Sequence, residues 1–572
     1  MDISAAEIYD IAGLGIRDDK SEPEQGRPVM KRCLMICLSG LLVLTVCAMA
    51  RAEDFCSEPV KTGQGWFQGF KDAEFGACVY RGMPFAKAPV GELRLRRPEP
   101  PAPHQGVFEA VKFGPACLQE EDILNGGKSE AYSEDCLYLN LWRPAKSGKF
   151  PVMVWLYGGG FVGGSGSFDI YDGSNLASRQ EVVVVTLNYR LAALGFMALP
   201  ELKDEDPKGS TGNYGIQDQA RALEWVRDNI SAFGGDPQNV TVFGQSAGGM
   251  SVCSLLVSPE AKGLFQHAMI MSGPCRLMTS LEDGYRKSRE FAGTMGCAGP
   301  DLVGCLRSQP MGAFLQKTGN DLFSGGVAWS PTIDGSFLPD TPVKMIQAGN
   351  YQKVPVMIGT TRDELRIYTM TISGLGLWSR GTVNRLMQLL TGPNYEEIMS
   401  MYDYRDFRRP IDLAFAFANQ MVFETPAFMM AEAMSGKNPV YLYRFDWDQT
   451  RFPHKMGAFH AIDVPFVFGA MNPDAEIAKL LASKKTYEKN KYLSYIMMNY
   501  VTNFARNGNP NGKGAPSWPA FTSSDPERLY FNTEISSRPF TEKEIQRYQW
   551  YAERSLQEIM TGKLSRSLGK KD

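Results

Sequence analysis

Histidine is scarce in this chain, and the common zinc-binding patterns are missing from it. The 572 residues contain only four histidines, and neither a Cys-x-x-Cys nor a His-Glu-x-x-His motif occurs. We therefore expect no metal site and no metal cofactor. The formal net charge is only −3, and no long basic run interleaves with aromatic residues. This pattern argues against nucleic acid as a partner.

The N-terminal segment has the composition of an export signal preceded by an extension. Residues 1–29 are polar and lack apolar periodicity, so we interpret them as a non-native or disordered extension. A basic start at Met30, an apolar stretch over 33–46 and an Ala-Arg-Ala site at 50–52 predict a signal peptide over 30–52. We expect a periplasmic or secreted protein without a membrane span after cleavage; a membrane anchor is the alternative, since the apolar run is near the lower limit for spanning.

The cysteines are consistent with an exported protein. Three of the eleven lie in the predicted signal, and the other eight can form disulfides in an oxidising compartment. Spacing leaves their connectivity open, although it favours small closed loops between near neighbours. The eight are Cys56, Cys78, Cys117, Cys136, Cys253, Cys275, Cys297 and Cys305.

Apolar runs alternate with helical patterns from residue 150 onward. Because the runs are apolar on both faces, they predict strands buried between layers of helices, in an α/β fold with a mostly parallel sheet. We expect one catalytic domain over 53–562, with helical insertions at about 276–352 and 369–437, followed by a basic tail over 563–572. The predicted strands are 151–156, 181–189, 239–243, 267–271, 354–358 and 440–445.

A Gly-x-Ser-x-Gly motif follows the third of these runs, at 239–243. Gly244 and Gly248 flank Ser246, and a helix-compatible segment comes next. This order of strand, tight turn and helix is that of a nucleophile elbow, in which the serine is held in a strained backbone conformation. The motif predicts that Ser246 is a nucleophile whose neighbouring helix N-terminus faces developing negative charge.

An activated serine needs a base, and few histidines are available. In α/β-hydrolases the chain order is serine, acid, histidine, which removes His104 and leaves too little room for His267. His454 and His460 both remain after the last predicted strand; His460 has the smaller and more apolar neighbours. The acid should follow the strand at 354–358, where Asp363 and Glu364 are adjacent, and residue type does not separate them.

A run of glycines supplies the remaining part of an acyl-transfer site. Gly158, Gly159 and Gly160 follow the strand at 151–156 after one residue, Tyr157. Consecutive glycines let backbone N–H groups converge on one point without obstruction by Cβ atoms, as an oxyanion hole requires. A flexible or phosphate-binding loop is the alternative, which the downstream elbow disfavours.

Together these stretches resemble the type-B carboxylesterase and cholinesterase family of α/β-hydrolases. Further resemblance lies in Ser133–Asn140, Thr361–Glu364 and Asn507–Pro510. The resemblance implies Ser246 as nucleophile, Glu364 as acid and His460 as base. It also implies oxyanion donors at Gly159, Gly160 and Ala247, and disulfides Cys117–Cys136 and Cys297–Cys305. Cys56–Cys78 is our own suggestion for a third pair, and the state of Cys253 and Cys275 stays open.

Several positions depart from the family pattern. Tyr157 stands where many esterases have histidine, Leu365 replaces the usual glycine after the acid, and Gln245 replaces the glutamate of cholinesterases. The Cys117–Cys136 loop holds no tryptophan that could bind choline. Two rings that confine small acyl groups in acetylcholinesterase have no counterpart near Trp329.

These departures predict a carboxylesterase rather than a cholinesterase. We expect hydrolysis of uncharged small-molecule esters through an acyl-enzyme, without a cofactor, in a fairly roomy pocket lined by Trp329, Phe161 and Gln245. A non-catalytic adhesion or binding protein and an amidase are the alternatives. The sequence leaves the oligomeric state open.

Overall fold

The structure is a computed structural model that describes residues 55–120, 131–317, 329–367, 374–450, 453–470 and 486–562. One compact unit comprises Phe55–Asp572. The predicted extension, the signal peptide and the basic tail lie outside the described residues.

Three sheets are present in the described part of the chain. A small sheet joins β1 (Val60–Lys61), β2 (Trp66–Gln68) and β5 (Val107–Glu109), and a two-stranded one joins β6 (Ala116–Cys117) to β7 (Tyr132–Ser133). The large sheet comprises β3 (Phe70–Lys71), β4 (Cys78–Pro84), β8 (Tyr138–Arg143), β9 (Phe150–Leu156), β10 (Val183–Leu187), β11 (Gly235–Gln245), β12 (His267–Met271), β13 (Val356–Thr361), β14 (Val440–Phe445), β15 (Glu527–Phe531) and β16 (Ser536–Pro539).

The large sheet confirms the α/β prediction. Its spatial order is β16-β15-β14-β13-β12-β11-β9-β10-β8-β4-β3, and every pairing from β15 to β10 is parallel. All six apolar runs predicted as strands lie in this parallel part. Their side chains are buried on both faces, which explains why the runs lack alternation.

Helices cover both predicted insertions within the described residues. Before the first insertion, an α-helix over Tyr214–Asn229 ends in a 3-10 turn at Ile230–Phe233. A π-helical turn, Gln420–Glu424, interrupts the second insertion. The α-helices are Ser174–Gln180, Ala192–Phe196, Pro200–Glu205, Tyr214–Asn229, Ala247–Val257, Leu281–Thr294, Leu302–Ser308, Met311–Lys317, Pro342–Gln347, Arg380–Thr391, Tyr395–Ser400, Pro410–Asn419, Thr425–Met434, Pro453–Met456, Val464–Phe468, Tyr487–Asn507, Glu542–Ala552 and Leu556–Ile559.

The parallel arrangement places the candidate site residues at one edge of the sheet. β9, β11, β13 and β14 run in the same direction, so their carboxyl ends meet there. The glycine run follows β9, Ser246 follows β11, Glu364 follows β13, and the loop with His460 follows β14. Ligands of open α/β sheets bind at this edge.

Candidate active site

Ser246 occupies a strained turn between strand and helix. Its φ of 58° and ψ of −121° lie outside the regions that residues with a Cβ normally adopt. The turn is held because the Ser246 N–H donates to the Met271 carbonyl at 2.9 Å, while the Ser246 carbonyl accepts from Met250 N–H at 2.9 Å. Ser246 is half-buried and directly precedes the helix Ala247–Val257. The strain therefore presents its hydroxyl at the sheet edge.

The glycines of the elbow are required by close backbone contacts. A Cβ on Gly248 would lie 1.9 Å from the Leu156 carbonyl oxygen, and one on Gly244 would lie 2.5 Å from the Gly248 carbonyl oxygen. Both distances are shorter than real Cβ contacts allow. The helix can therefore begin at Ala247 only if both flanking positions lack a side chain.

A short hydrogen bond joins Glu364 to His460. The Glu364 carboxylate is fully buried, and its Oε2 lies 2.5 Å from His460 Nδ1. The His460 side chain is 18% exposed, so the ring lies between the buried acid and the sheet edge. With Nδ1 donating to the acid, Nε2 is left as the ring nitrogen that can accept a proton.

The second oxygen of Glu364 is held by two donors. Its Oε1 accepts from the Ser272 hydroxyl at 2.7 Å and from the Thr361 N–H at 2.7 Å. Ser272 is buried, follows β12 directly and has a φ of 48°. The sequence interpretation missed Ser272; its position at the carboxyl end of a predicted strand was the available signal. These donors keep the carboxylate oriented toward His460.

Asp363 does not face His460 in the structure. Its carboxylate forms ion pairs with Arg362 at 2.8 Å and Arg366 at 2.9 Å, and its Oδ2 accepts from the Ala458 N–H at 3.0 Å. The Asp363 N–H in turn donates to the Ala458 carbonyl at 2.9 Å. Asp363 therefore joins the loop after β13 to the loop that carries His460.

The other ring nitrogen of His460 contacts the residue before the nucleophile. The Gln245 side-chain amide lies 3.0 Å from His460 Nε2. No hydrogen bond joins Ser246 Oγ to His460 in the described residues; in unliganded sites such bonds often form only when substrate binds. His454 belongs to the helix Pro453–Met456, and its side chain lies outside what the structure describes.

The glycine loop, which we define as Tyr157–Gly164, adjoins Ser246. A Cβ on Gly158 would lie 2.9 Å from Ser246 Cβ, so this loop contacts the nucleophile directly. Gly159 and Gly160 have φ of 119° and 61°, and neither N–H donates to an acceptor among the described residues. Ala247 is the first residue of its helix, where N–H groups lack intrahelical partners. The three N–H groups predicted as oxyanion donors therefore lie on the two segments that flank Ser246.

The residues predicted to line the substrate pocket differ in their surroundings. Gln245 contacts His460, as described above. Phe161 is fully buried and packs on Phe196 with ring centroids 4.7 Å apart. Trp329 is 7% exposed and packs edge-on against Phe291 at 5.3 Å. The sequence interpretation missed Phe423 of the π-helical turn, whose ring lies 5.3 Å from that of His460.

A second buried acid lies behind the histidine. Asp463 is fully buried, and its Oδ2 accepts from the Tyr443 hydroxyl at 3.0 Å. Its Oδ1 has no hydrogen-bond partner among the residues that the structure describes. Burial and the neighbouring Glu364 raise the pKa of Asp463 to about 7. Carboxylates are thus crowded on the acid side of His460.

The eight cysteines of the described residues form four disulfides. The structure pairs Cys117 with Cys136 and Cys297 with Cys305, as the resemblance implies, and also pairs Cys56 with Cys78. The fourth bond joins Cys253 of the helix after Ser246 to Cys275 after β12, a pairing that the sequence left open. These covalent links are compatible with an exported protein.

The described residues contain neither a metal-site arrangement nor a helix suited to a membrane. Within the ranges given above, no group of histidine, cysteine, aspartate and glutamate side chains has the arrangement of a metal site. No helix of this part of the chain has the length and apolar character needed to cross a membrane.

Comparison with known proteins identifies a family. The model of the carboxylesterase family matches residues 57–549. The chain is 38% identical to para-nitrobenzyl esterase of Bacillus subtilis over 475 residues, 81% of this chain and 93% of that one. It is 36% identical to human cocaine esterase, covering 87% and 91%, and 34% identical to acetylcholinesterase of Bungarus fasciatus, covering 82% and 81%.

Solved structures give the same result. A PNB esterase structure superimposes with a TM-score of 0.76 at 36% identity, covering 86% of this chain and 99% of the other. A carboxylesterase of Geobacillus stearothermophilus gives a TM-score of 0.75 at 33% identity, with the same coverage. These findings do not support the two alternatives, a non-catalytic binding protein and an amidase.

Proposed function

The chain belongs to the carboxylesterase family, and we propose that Ser246, Glu364 and His460 are the triad with which it hydrolyses carboxylic esters. The observation that carries the proposal is the 2.5 Å contact between Glu364 Oε2 and His460 Nδ1. It leaves Nε2 as the proton acceptor next to the elbow, because Nε2 contacts the side chain that immediately precedes Ser246.

The proposed reaction proceeds through an acyl-enzyme. Ser246 Oγ attacks the ester carbonyl carbon while His460 Nε2 takes the hydroxyl proton, and a tetrahedral intermediate forms. The bond to the alcohol oxygen then breaks, and His460 returns the proton to the leaving alcohol. Water repeats both steps on the acyl-enzyme, which releases the acid and restores Ser246. Glu364 stabilises the imidazolium that forms in each half-reaction.

The N–H groups of Gly159, Gly160 and Ala247 are proposed to bind the oxyanion. The support is that both segments adjoin Ser246. The glycine loop contacts Ser246 on one side, and the helix that begins at Ala247 follows it directly on the other. A helix N-terminus adds the positive end of its dipole. Donors placed where the charge develops each contribute about 10²–10³ in kcat.

We propose uncharged esters as substrates. The support is the neutral Gln245 at His460, where cholinesterases carry a glutamate, together with the absence of a tryptophan in the Cys117–Cys136 loop. The proposed preference for uncharged esters is tested with a panel of neutral and choline esters that share the same acyl group. Neutral esters are expected to have the higher kcat/KM; a preference for the choline esters would contradict it.

Export is a further proposal. Four disulfides in the described residues fit an oxidising compartment. N-terminal sequencing of the mature protein from a secreting host is expected to begin at Glu53, after cleavage behind Ala52. Recovery of a protein that retains Met1 would contradict the proposal.

Replacement of the nucleophile tests the triad. The Ser246→Ala variant should lose several orders of magnitude in kcat for a p-nitrophenyl ester and should not react with a fluorophosphonate probe. Ser254→Ala is a matched control, since Ser254 lies on the same helix and its hydroxyl binds only the Met250 carbonyl. Near-full turnover by Ser246→Ala would contradict the assignment.

A further inference from the structure

One side-chain amide holds the end of the glycine loop. Gln119 Nε2 donates to the Gly164 carbonyl at 2.8 Å, and Gln119 Oε1 accepts from the Gly164 N–H at 2.7 Å. Nε2 also donates to the Cys117 carbonyl at 3.0 Å. Gln119 is only 6% exposed. We propose that Gln119 is a positioning residue for the oxyanion hole, acting through the backbone of Gly164.

The loop needs an anchor because its glycines are conformationally free. Gly159 and Gly160 have no side chains to pack, and ordering them costs more backbone entropy than ordering other residues. The turn closes on itself, since the Gly159 carbonyl accepts from Val162 N–H at 3.0 Å and from Gly163 N–H at 3.1 Å. The middle of the turn is held at Phe161, whose carbonyl accepts from Ala192 N–H at 2.7 Å, and its two ends set the rest of its position.

The first end of the loop is anchored by an aromatic pair. Tyr157 stacks on Tyr189 with ring centroids 4.4 Å apart, and the Tyr189 hydroxyl donates to the Tyr157 carbonyl at 2.8 Å. At the other end, the Gln119 side chain binds both the N–H and the carbonyl of Gly164. Within the described residues, no other side chain forms a hydrogen bond with either group. Loss of Gln119 therefore removes the side-chain contacts of Gly164 itself, and the next anchors along the chain are Ser165 and Gly166, which bind Asn188. The stretch that carries Gly159 and Gly160 is then held less closely at this end.

Gln119 is itself held in place. Cys117, two residues before it, is bonded to Cys136, and the same amide closes back on the Cys117 carbonyl. Gly164 cannot move closer to compensate, since a Cβ at that position would already lie 2.4 Å from the Tyr157 ring. The amide thus fits a narrow space between the disulfide-bonded loop and the glycine loop.

The inference rests on the proposed ester hydrolysis at Ser246. Oxyanion donors act on the transition state more than on bound substrate. The Gln119→Met variant keeps the side-chain shape and removes all three hydrogen bonds. We expect its kcat for p-nitrophenyl acetate to fall about 10- to 100-fold, part of the effect of a lost oxyanion donor, while KM changes less than about threefold.

The chain offers a matched control in Gln352. Its Nε2 donates to the Leu255 and Ala261 carbonyls, each at 3.1 Å, and its Oε1 accepts from the Gly263 N–H at 2.9 Å. Gln352→Met therefore removes the same three kinds of bond near the C-terminal end of the helix Ala247–Val257, the end opposite Ser246. It is expected to lower the melting temperature while leaving kcat unchanged.

A second readout separates positioning from a general loss of stability. An aryl trifluoromethyl ketone places a tetrahedral oxyanion in the hole, so its inhibition constant should rise with the loss of kcat in Gln119→Met and stay constant in Gln352→Met. Wild-type kcat and wild-type inhibition for a folded Gln119→Met would overturn the inference. If that variant does not fold, Gln119→Glu takes its place, because it keeps the acceptor for Gly164 N–H. Its kcat and its inhibition constant are then compared with those of the wild type in the same way.

The two proposals fail in different ways. An inactive Ser246→Ala together with a fully active Gln119→Met would overturn only the role of Gln119. An active Ser246→Ala would overturn the triad itself.

Discussion

The side-chain amide of Gln245 lies 3.0 Å from Nε2 of His460, the nitrogen proposed to take the serine proton. The opposite nitrogen, Nδ1, already faces the Glu364 carboxylate at 2.5 Å. The imidazole is therefore held between one charged and one neutral partner. A neutral partner at Nε2 can either donate to the free base or, with the amide turned over, accept from the imidazolium.

A carboxylate in place of this amide should change the pH dependence. In Gln245→Glu a negative charge would lie beside Nε2 and favour the protonated imidazole. We expect the acid limb of the kcat/KM profile to move up by roughly one pH unit. Gln245→Met, of similar size without charge, should leave the limb in place. Identical acid limbs for wild type and Gln245→Glu would contradict this prediction.

The two adjacent acids should separate in their effects on kcat. Glu364→Gln removes the charge that stabilises the imidazolium, so kcat should fall by about 10³–10⁴. Asp363→Asn should keep kcat within about tenfold, because Asp363 contacts Arg362, Arg366 and Ala458 rather than His460. It should lower the melting temperature, since two part-buried guanidinium groups lose a partner. The reverse ranking of the two kcat values would assign the acid to Asp363.

A methyl group on the elbow should disrupt folding. In Gly248→Ala the new Cβ would lie 1.9 Å from the Leu156 carbonyl oxygen, so the helix must move away from β9. We expect destabilisation of about 3 kcal/mol or more, measured by urea unfolding, with loss of activity. Gly293→Ala is the control, because a Cβ there meets no atom within 4 Å in the helix Leu281–Thr294. It should stabilise by up to about 1 kcal/mol; equal stability of the two variants would contradict the prediction.

A histidine outside the site should make stability depend on pH. Burial lowers the pKa of His267 to about 4. Between pH 6.5, the ordinary value for histidine, and pH 4 the unfolded chain binds a proton that the folded chain does not. This contribution to stability is complete above pH 6.5 and is lost as the pH falls through about 4.

His267→Gln measures this contribution. The wild-type melting temperature should fall more steeply between pH 6.5 and 4 than that of His267→Gln, which cannot take up the proton. Parallel curves for the two proteins over this range would show that His267 titrates equally in the folded and unfolded states.

Two parts of the site, the elbow and the glycine loop, could be predicted from the sequence because they depend on local geometry. The elbow around Ser246 and the glycine loop depend on which residues tolerate positive φ and close backbone approach, which are properties of neighbouring residues. The parallel strands were predictable for a similar reason, since burial on both faces leaves apolar runs. These features required no knowledge of distant contacts.

Only the tertiary structure distinguished residues whose local surroundings are alike. Asp363 and Glu364 are adjacent and chemically similar, yet opposite directions of their side chains place one on arginines and the other on His460. The contact of Ser272 with Glu364, the clamp of Gln119 on Gly164 and the bond between Cys253 and Cys275 likewise join positions distant in the chain. Hydrophobic periodicity and turn preferences carry no information about such partners, because the packing of whole elements sets those distances.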